Sequence, residues 1–143
     1  MTTEIVEVGP DNPQLWSSAV NQFKGGHYVA DDGFLSDPTT VALVAHTGDR
    51  VAGWAWGYRQ IRPDGDTMLL LYELDVVAEE RRKGIGTSLV DAFLELGQRE
   101  GHRRMWVLTE IDNEAAIALY EATGGERVQR GNVSYQWQLP QRR

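Results

Sequence analysis

The run TMLLLYELDVV (67–77), followed by ERRKGIG (80–86) and TSLVDAFLELGQREG (87–101), most narrows what this chain can fold into. A long apolar run of this kind predicts a central strand covered on both faces. In the next segment Leu89, Val90, Phe93 and Leu94 recur at helical spacing, and Gly97 and Gly101 mark the helix end. A second strand, RRMWVLTE (103–110), comes after it. Strand, helix and strand in this order read as a crossover in the middle of a mixed α/β sheet.

The flanks predict the rest of that sheet. TEIVEV (3–8) alternates as a strand. Asp11 or Asn12 with Pro13 then opens a helix to about Phe23. GGHYVADDG (25–33) reads as a loop holding at most a short helix before FLSDP. VALVAH (41–46) and VAGWAWGY (51–58) form a hairpin around a TGD turn, and residues 59–66 form the next turn. DNEAAIALYEATGG (112–125) is a short helix, and ERVQRGNVSYQWQL (126–139) a final hairpin turning at Gly131–Asn132. The expected architecture is a mixed, mainly antiparallel sheet with helices on both faces, in one domain over residues 1–143.

Composition removes several function classes. A net charge of −7 argues against a general nucleic-acid binder, whose footprint is basic, and suits a cationic small substrate. The absence of cysteine excludes a thiol nucleophile and zinc knuckles, and His27, His46 and His102 lack metal spacing. They read as structural or surface residues, and no metal is expected. No apolar run is long enough for a membrane span, and MTTEIVEV carries no basic leader, so the expectation is a cytoplasmic protein without membrane contact.

Against this acidic background, the cations Arg81, Arg82 and Lys83 between a strand and a glycine-marked helix start stand out. Such a turn suits a phosphate: the first helical amides lack internal partners, and the dipole favours an anion. The other reading of these residues is a solvated basic corner. A Walker loop is absent, and Leu89 stands where a dinucleotide fingerprint needs its third glycine. The pattern Arg81-x-x-Gly84-x-Gly86 after LDVV resembles the acetyl-CoA signature of the GNAT superfamily of N-acetyltransferases. Asn113, Ala116 and Tyr120 match that family's N-x-x-A-x-x-x-Y helix in the right order. FLSDP, the YEL strand segment and AIALY further resemble the aminoglycoside 3-N-acetyltransferase branch.

The resemblance implies a site. Backbone amides of Arg82, Lys83, Gly84, Ile85, Gly86, Thr87 and Ser88 would bind the pyrophosphate of acetyl-CoA, with Arg81 closing the turn. Val76 and Val77 would offer their backbone to pantetheine, and an amide there would polarise the thioester carbonyl. Asn113 would bind the pantetheine arm, its rival role being a simple helix cap. Tyr120 is the candidate general acid, its rival role a core aromatic. Strand alternation puts Glu73 and Asp75 on one face and Tyr72, Leu74 and Val76 on the other. Glu73 aligns with the branch's strand carboxylate and would be base or amine-orienting group, with Asp75 auxiliary; the competing reading pairs it with Arg59 or Arg104. Asp31, Asp32 and Asp37 before the hairpin, and Glu110, Asp112 and Glu114 across the cleft, would face a cationic acceptor. Trp54 and Trp56 share a strand face and read as core or interface.

The reading this supports is acetyl transfer from acetyl-CoA to an aminoglycoside amine, the 3-amine by resemblance, through direct attack in a ternary complex. Another keeps the chemistry with a polyamine, a small metabolite or a protein amine as acceptor. A third is a non-catalytic CoA-binding sensor. Dimerisation is common in the superfamily, and the terminal hairpin could serve a homodimer.

Overall fold

The computed structural model describes residues 2–26, 32–128 and 133–141, with Asp32 described for its backbone alone. Five strands form one sheet in the order β1-β2-β3-β4-β5: β1 (Glu4–Glu7), β2 (Thr40–Thr47), β3 (Arg50–Ile61), β4 (Thr67–Val76) and β5 (Met105–Val107). The first four pair antiparallel with their neighbours, and β5 pairs parallel to β4. Between them lies α3 (Ile85–Glu100), the crossover that parallel pairing demands. The expected mixed, mainly antiparallel sheet is therefore present.

Helices cover both faces. On one side α3 buries Leu89, Val90, Phe93 and Leu96 against Leu43, Leu69 and Leu71, with Leu119 and Tyr120 of α4 (Glu114–Ala122) packed alongside. On the other, α1 (Pro13–Lys24) and α2 (Asp32–Ser36) enclose an aromatic core built around Trp16, Phe34 and Trp54. Trp16 stacks on Phe34 with centroids 5.4 Å apart and meets Trp54 at 5.0 Å. Pro13 supplies the fixed φ that starts α1. Asn12 does not cap that helix; its Oδ1 accepts the Gly9 amide at 2.8 Å instead.

Four expectations need correction. Gly97 lies inside α3, which ends at the left-handed Gly101; a Cβ on Gly97 would stand 3.0 Å from Leu69 Cδ1, so it marks close helix–sheet contact. The strand expected over 103–110 is only three residues long, because β4 and β5 pair at Leu69–Met105, Leu70–Trp106 and Leu71–Val107 alone. Only the first half of β4 is covered on both faces, and Tyr72 is 60% exposed. The final hairpin is absent from the described residues: its turn at 131–132 lies outside them, and 133–141 carry no strand. Val133, Tyr135, Trp137 and Leu139 alternate as a strand would, yet all are exposed. An apolar alternation needs cross-strand pairing to become a ladder, and none is made there.

Candidate active site

The site is organised by one irregularity in β4. Register runs Trp56↔Glu73 and then Gly57↔Leu71, so Tyr72 is the extra residue of a β-bulge. A Cβ on Gly57 would lie 1.8 Å from the Leu70 carbonyl oxygen, which is why only glycine fits opposite the bulge. Bulging bends a strand. The last residue of β4 that pairs with β5 is Leu71, immediately before the extra one. From Tyr72 to Val76 the β5 side of β4 has left the ladder, and the two strands part.

The bulge also corrects the expected face of Tyr72. Its ring stacks on Trp56 at 4.8 Å and meets Tyr58 edge-on at 6.1 Å, on the side of Glu73 and Asp75. Leu74 and Val76 pack instead on the core beneath α3.

Both carboxylates are held by indoles. Asp75 Oδ2 accepts the Trp54 Nε1–H at 2.8 Å, and Glu73 Oε2 accepts the Trp56 Nε1–H at 3.0 Å. Glu73 Oε1 binds the Lys24 ammonium at 2.5 Å. The arginines weighed for Glu73 are engaged elsewhere. Arg59 makes a bidentate pair with Glu100, and Arg104 bonds Asp66. Trp54 is buried core, as expected; that its ring nitrogen and that of Trp56 fix the two carboxylates was not foreseen. The signal was present in VAGWAWGY opposite YELD, since residues two apart on paired strands share a face.

On the parted side of β4 the backbone alternates. Val77 N–H donates to Ala52 O at 2.9 Å, so this amide is committed to β3. Antiparallel alternation then turns the Val76 amide and carbonyl away from β3, and Arg81 Nε reaches that carbonyl at 3.3 Å. Of the two valines, only Val76 has its amide turned away from β3.

Beyond β4 a turn of 3₁₀ helix (Ala78–Glu80) leads to Arg82 at φ 68° and Gly84 at φ 82°. Two left-handed residues so close reverse the chain into α3, and glycine serves the second at little steric cost. The start of α3 has no side-chain cap and no acidic residue in its first turn. Its first intrahelical donor is Ser88 N–H, bonded to Gly84 O at 3.0 Å. The amides of Ile85, Gly86 and Thr87 precede it and face the end where an anion is favoured. Lys83 pairs with Glu80 at 3.2 Å in an exposed contact that a phosphate can replace at small cost. A Cβ on Gly86 would approach Leu119 Cδ2 to 3.2 Å, so this glycine lets α4 close on α3.

From α4, Asn113 caps the helix by accepting Ala116 N–H on Oδ1 at 3.1 Å, which leaves its Nδ2 group to donate elsewhere. Tyr120 packs on the α3 core, and its phenol is raised above the usual range by burial and then by the negative charge of Asp75. The Asp75 carboxylate on the parted half of β4 is therefore felt electrostatically at the Tyr120 phenol of α4.

The other candidates are less involved. Asp31 lies outside the described residues, as does the Asp32 side chain. Asp37 bonds Thr39 through amide and hydroxyl, which holds its carboxyl below the usual range. Glu110 and Asp112 are exposed, and their carbonyls accept the amides of Asn113 and Glu114. His46 bonds the Gly48 carbonyl, and His102 bonds Thr67 and Glu100. No cluster of metal-ligating side chains occurs among the described residues, and none of their helices is long and apolar enough to cross a membrane.

The sheet thus parts just before an uncapped helix start, with Glu73 and Asp75 on β4 and Tyr120 on the helix that packs beside α3. The chain belongs to the acetyltransferase (GNAT) family, whose model matches residues 11–124. It is 29% identical over 121 residues to the mycothiol acetyltransferase of Kocuria rhizophila, covering 82% of this chain and 38% of that relative. The chain thus spans well under half the length of the curated relatives it first matches. Its fold is similar to an aminoglycoside acetyltransferase from an uncultured soil metagenomic sample, at TM-score 0.79 and 23% identity, over 95% of this chain and all of that one. It is also similar to aminoglycoside acetyltransferase AAC(6')-Iy, solved with a CoA-containing bisubstrate analogue, at TM-score 0.78 and 19% identity, over 97% of this chain and 100% of that one.

Proposed function

We propose that this chain transfers the acetyl group of acetyl-CoA to a primary amine of a polycationic acceptor, by direct attack in a ternary complex. One observation carries the reading: Glu73, fixed by an indole on one oxygen, already holds a primary ammonium on the other, beside the parted edge of β4. That is the contact an acceptor needs before it can attack.

The steps follow from the residues around that edge. The uncapped amides of Ile85, Gly86 and Thr87, with Arg81, Arg82 and Lys83, bind the pyrophosphate. Asn113 Nδ2 donates to the pantetheine arm. The Val76 amide, turned out of the sheet, polarises the thioester carbonyl. Glu73 orients the acceptor and takes its proton, directly or through water, and Asp75 keeps the neighbouring field negative. Tyr120 protonates the departing thiolate; a phenol raised by burial and by Asp75 stays protonated until it is needed.

The acceptor reading is an aminoglycoside. It is supported by the carboxylate face, by the overall acidity, and by the sequence resemblance, from which the 3-amine preference comes alone. The second reading, a smaller amine, is favoured by sequence relatives named for mycothiol and for L-2,4-diaminobutyric acid. We read the chain as acting in the cytoplasm and as one domain.

The deciding experiment measures CoA release from acetyl-CoA with gentamicin, spermidine and a peptide amine in parallel. Gentamicin-dependent release supports the aminoglycoside reading, and mass spectrometry then locates the acetyl group. Release with another amine keeps the mechanism and replaces the acceptor. Tight acetyl-CoA binding without release to any amine would favour the CoA-binding sensor.

A further inference from the structure

We infer that Lys24 is a built-in occupant of the acceptor-ammonium position, which a cationic acceptor has to displace. The inference rests on the role given to Glu73 above. Lys24 closes α1, and the next residue, Gly25, turns the chain away at φ 94°. Its Nζ lies 2.5 Å from Glu73 Oε1, across 49 residues of sequence, and 6.0 Å from the Trp54 ring centroid.

Glu73 has two oxygens, and the Trp56 indole takes one of them. The remaining oxygen is where an acceptor ammonium would bind, and Lys24 presents the same group there. The lysine side chain is 41% exposed and the glutamate 25%, so solvent reaches both partners and the lysine more. An ion pair this exposed exchanges easily. The flexible four-carbon stem lets the ammonium leave without moving the helix.

A simple structural pin would have the same geometry, but the two roles predict opposite signs. Removing a pin loosens the wall of the site and weakens acceptor binding. Removing a competitor strengthens it. Lys24→Met is expected to lower KM for the acceptor by roughly two- to six-fold, the range given by the modest strength of exposed pairs. The change falls in KM more than in kcat. Lys24→Arg keeps a cation on Glu73 and retains a KM near that of the parent chain.

A readout independent of turnover is available because Trp54 and Trp56 hold the two carboxylates. Titration of tryptophan fluorescence with spermidine and with gentamicin reports binding at Glu73. Tighter binding by Lys24→Met than by the parent chain supports displacement. Equal or weaker binding, with an unchanged circular dichroism spectrum, overturns it, as does an unchanged or raised KM. If the parent chain transfers acetyl to no amine, the functional reading fails separately, and the titration alone decides the role of Lys24.

Discussion

The pair between Arg59 and Glu100 gives a pH-dependent stability that can be worked through. Arg59 Nε and Nη2 each bond a Glu100 oxygen at 2.7 Å, and Arg59 Nη1 also bonds the carbonyls of Thr40 at 2.6 Å and Pro38 at 3.2 Å. The guanidinium thereby ties the C-terminal end of α3 to β3 and to the segment leading from α2. Hydrogen bonding to Arg59, with further help from His102, lowers the Glu100 carboxyl from an ordinary 4.5 to about 2, against the opposing effect of burial. At about 1.4 kcal/mol per pH unit, that depression caps the contribution near 3.4 kcal/mol. Both side chains are nearly 30% exposed, and exposed pairs measure about 0.2–1 kcal/mol. The bidentate geometry and the extra carbonyl bonds lift the expectation to about 1–2 kcal/mol.

The sign follows from a depressed folded-state pKa. The stabilisation is complete above pH 4.5 and is lost as pH falls from there toward 2. Glu100→Gln should therefore lower stability in urea by about 1–2 kcal/mol at pH 7, and the gap should close as pH approaches 2. Equal midpoints at pH 7, or a gap unaltered by acid, would refute the reasoning.

Three further substitutions test the site. Glu73→Gln should lower turnover by about 10²–10⁴-fold, the usual worth of a positioned proton acceptor, while calorimetry shows acetyl-CoA binding intact; unchanged turnover would dismiss its role. Asp75→Asn keeps an acceptor for the Trp54 indole but removes the charge that helps raise Tyr120. The Tyr120 titration should move down, seen as an ultraviolet difference signal that Tyr120→Phe lacks, and an upward movement would exclude the coupling. Gly57→Ala forces a Cβ to within 1.8 Å of a backbone oxygen and should cost about 3 kcal/mol in urea unfolding; a small effect would mean that the bulge readjusts freely.

Most of the architecture was legible because it rests on local chemistry. Period-two runs made β1 to β3, a continuous apolar run made β4, Pro13 started α1, and the helical stripe of Leu89, Val90 and Phe93 made α3. What failed depended on partners distant in sequence. Gly97 looks like a helix end until Leu69 is known to press on it. RRMWVLTE has the composition of a longer strand, but its length is set by where β4 turns away. The 133–139 alternation carries no information about what, if anything, it pairs with.

The candidate site shows the same division more sharply. A strict alternation along β4 would place Glu73 and Asp75 on the face of Leu69 and Leu71, under α3 and inside an apolar core. Burying two carboxylates there without partners would cost several kcal/mol each. The extra residue at Tyr72 shifts the phase, so Leu74 and Val76 fill the α3 side while Glu73 and Asp75 turn toward Trp56 and Trp54. Sequence alternation correctly kept the two acids together, yet no local pattern marks the bulge in LLLYELD itself. Its mark lies on the partner strand, at a glycine between a tryptophan and a tyrosine, where a side chain would meet the Leu70 carbonyl. One irregularity thus separates β4 from β5, spares the core two charges and turns both toward the indoles of Trp54 and Trp56.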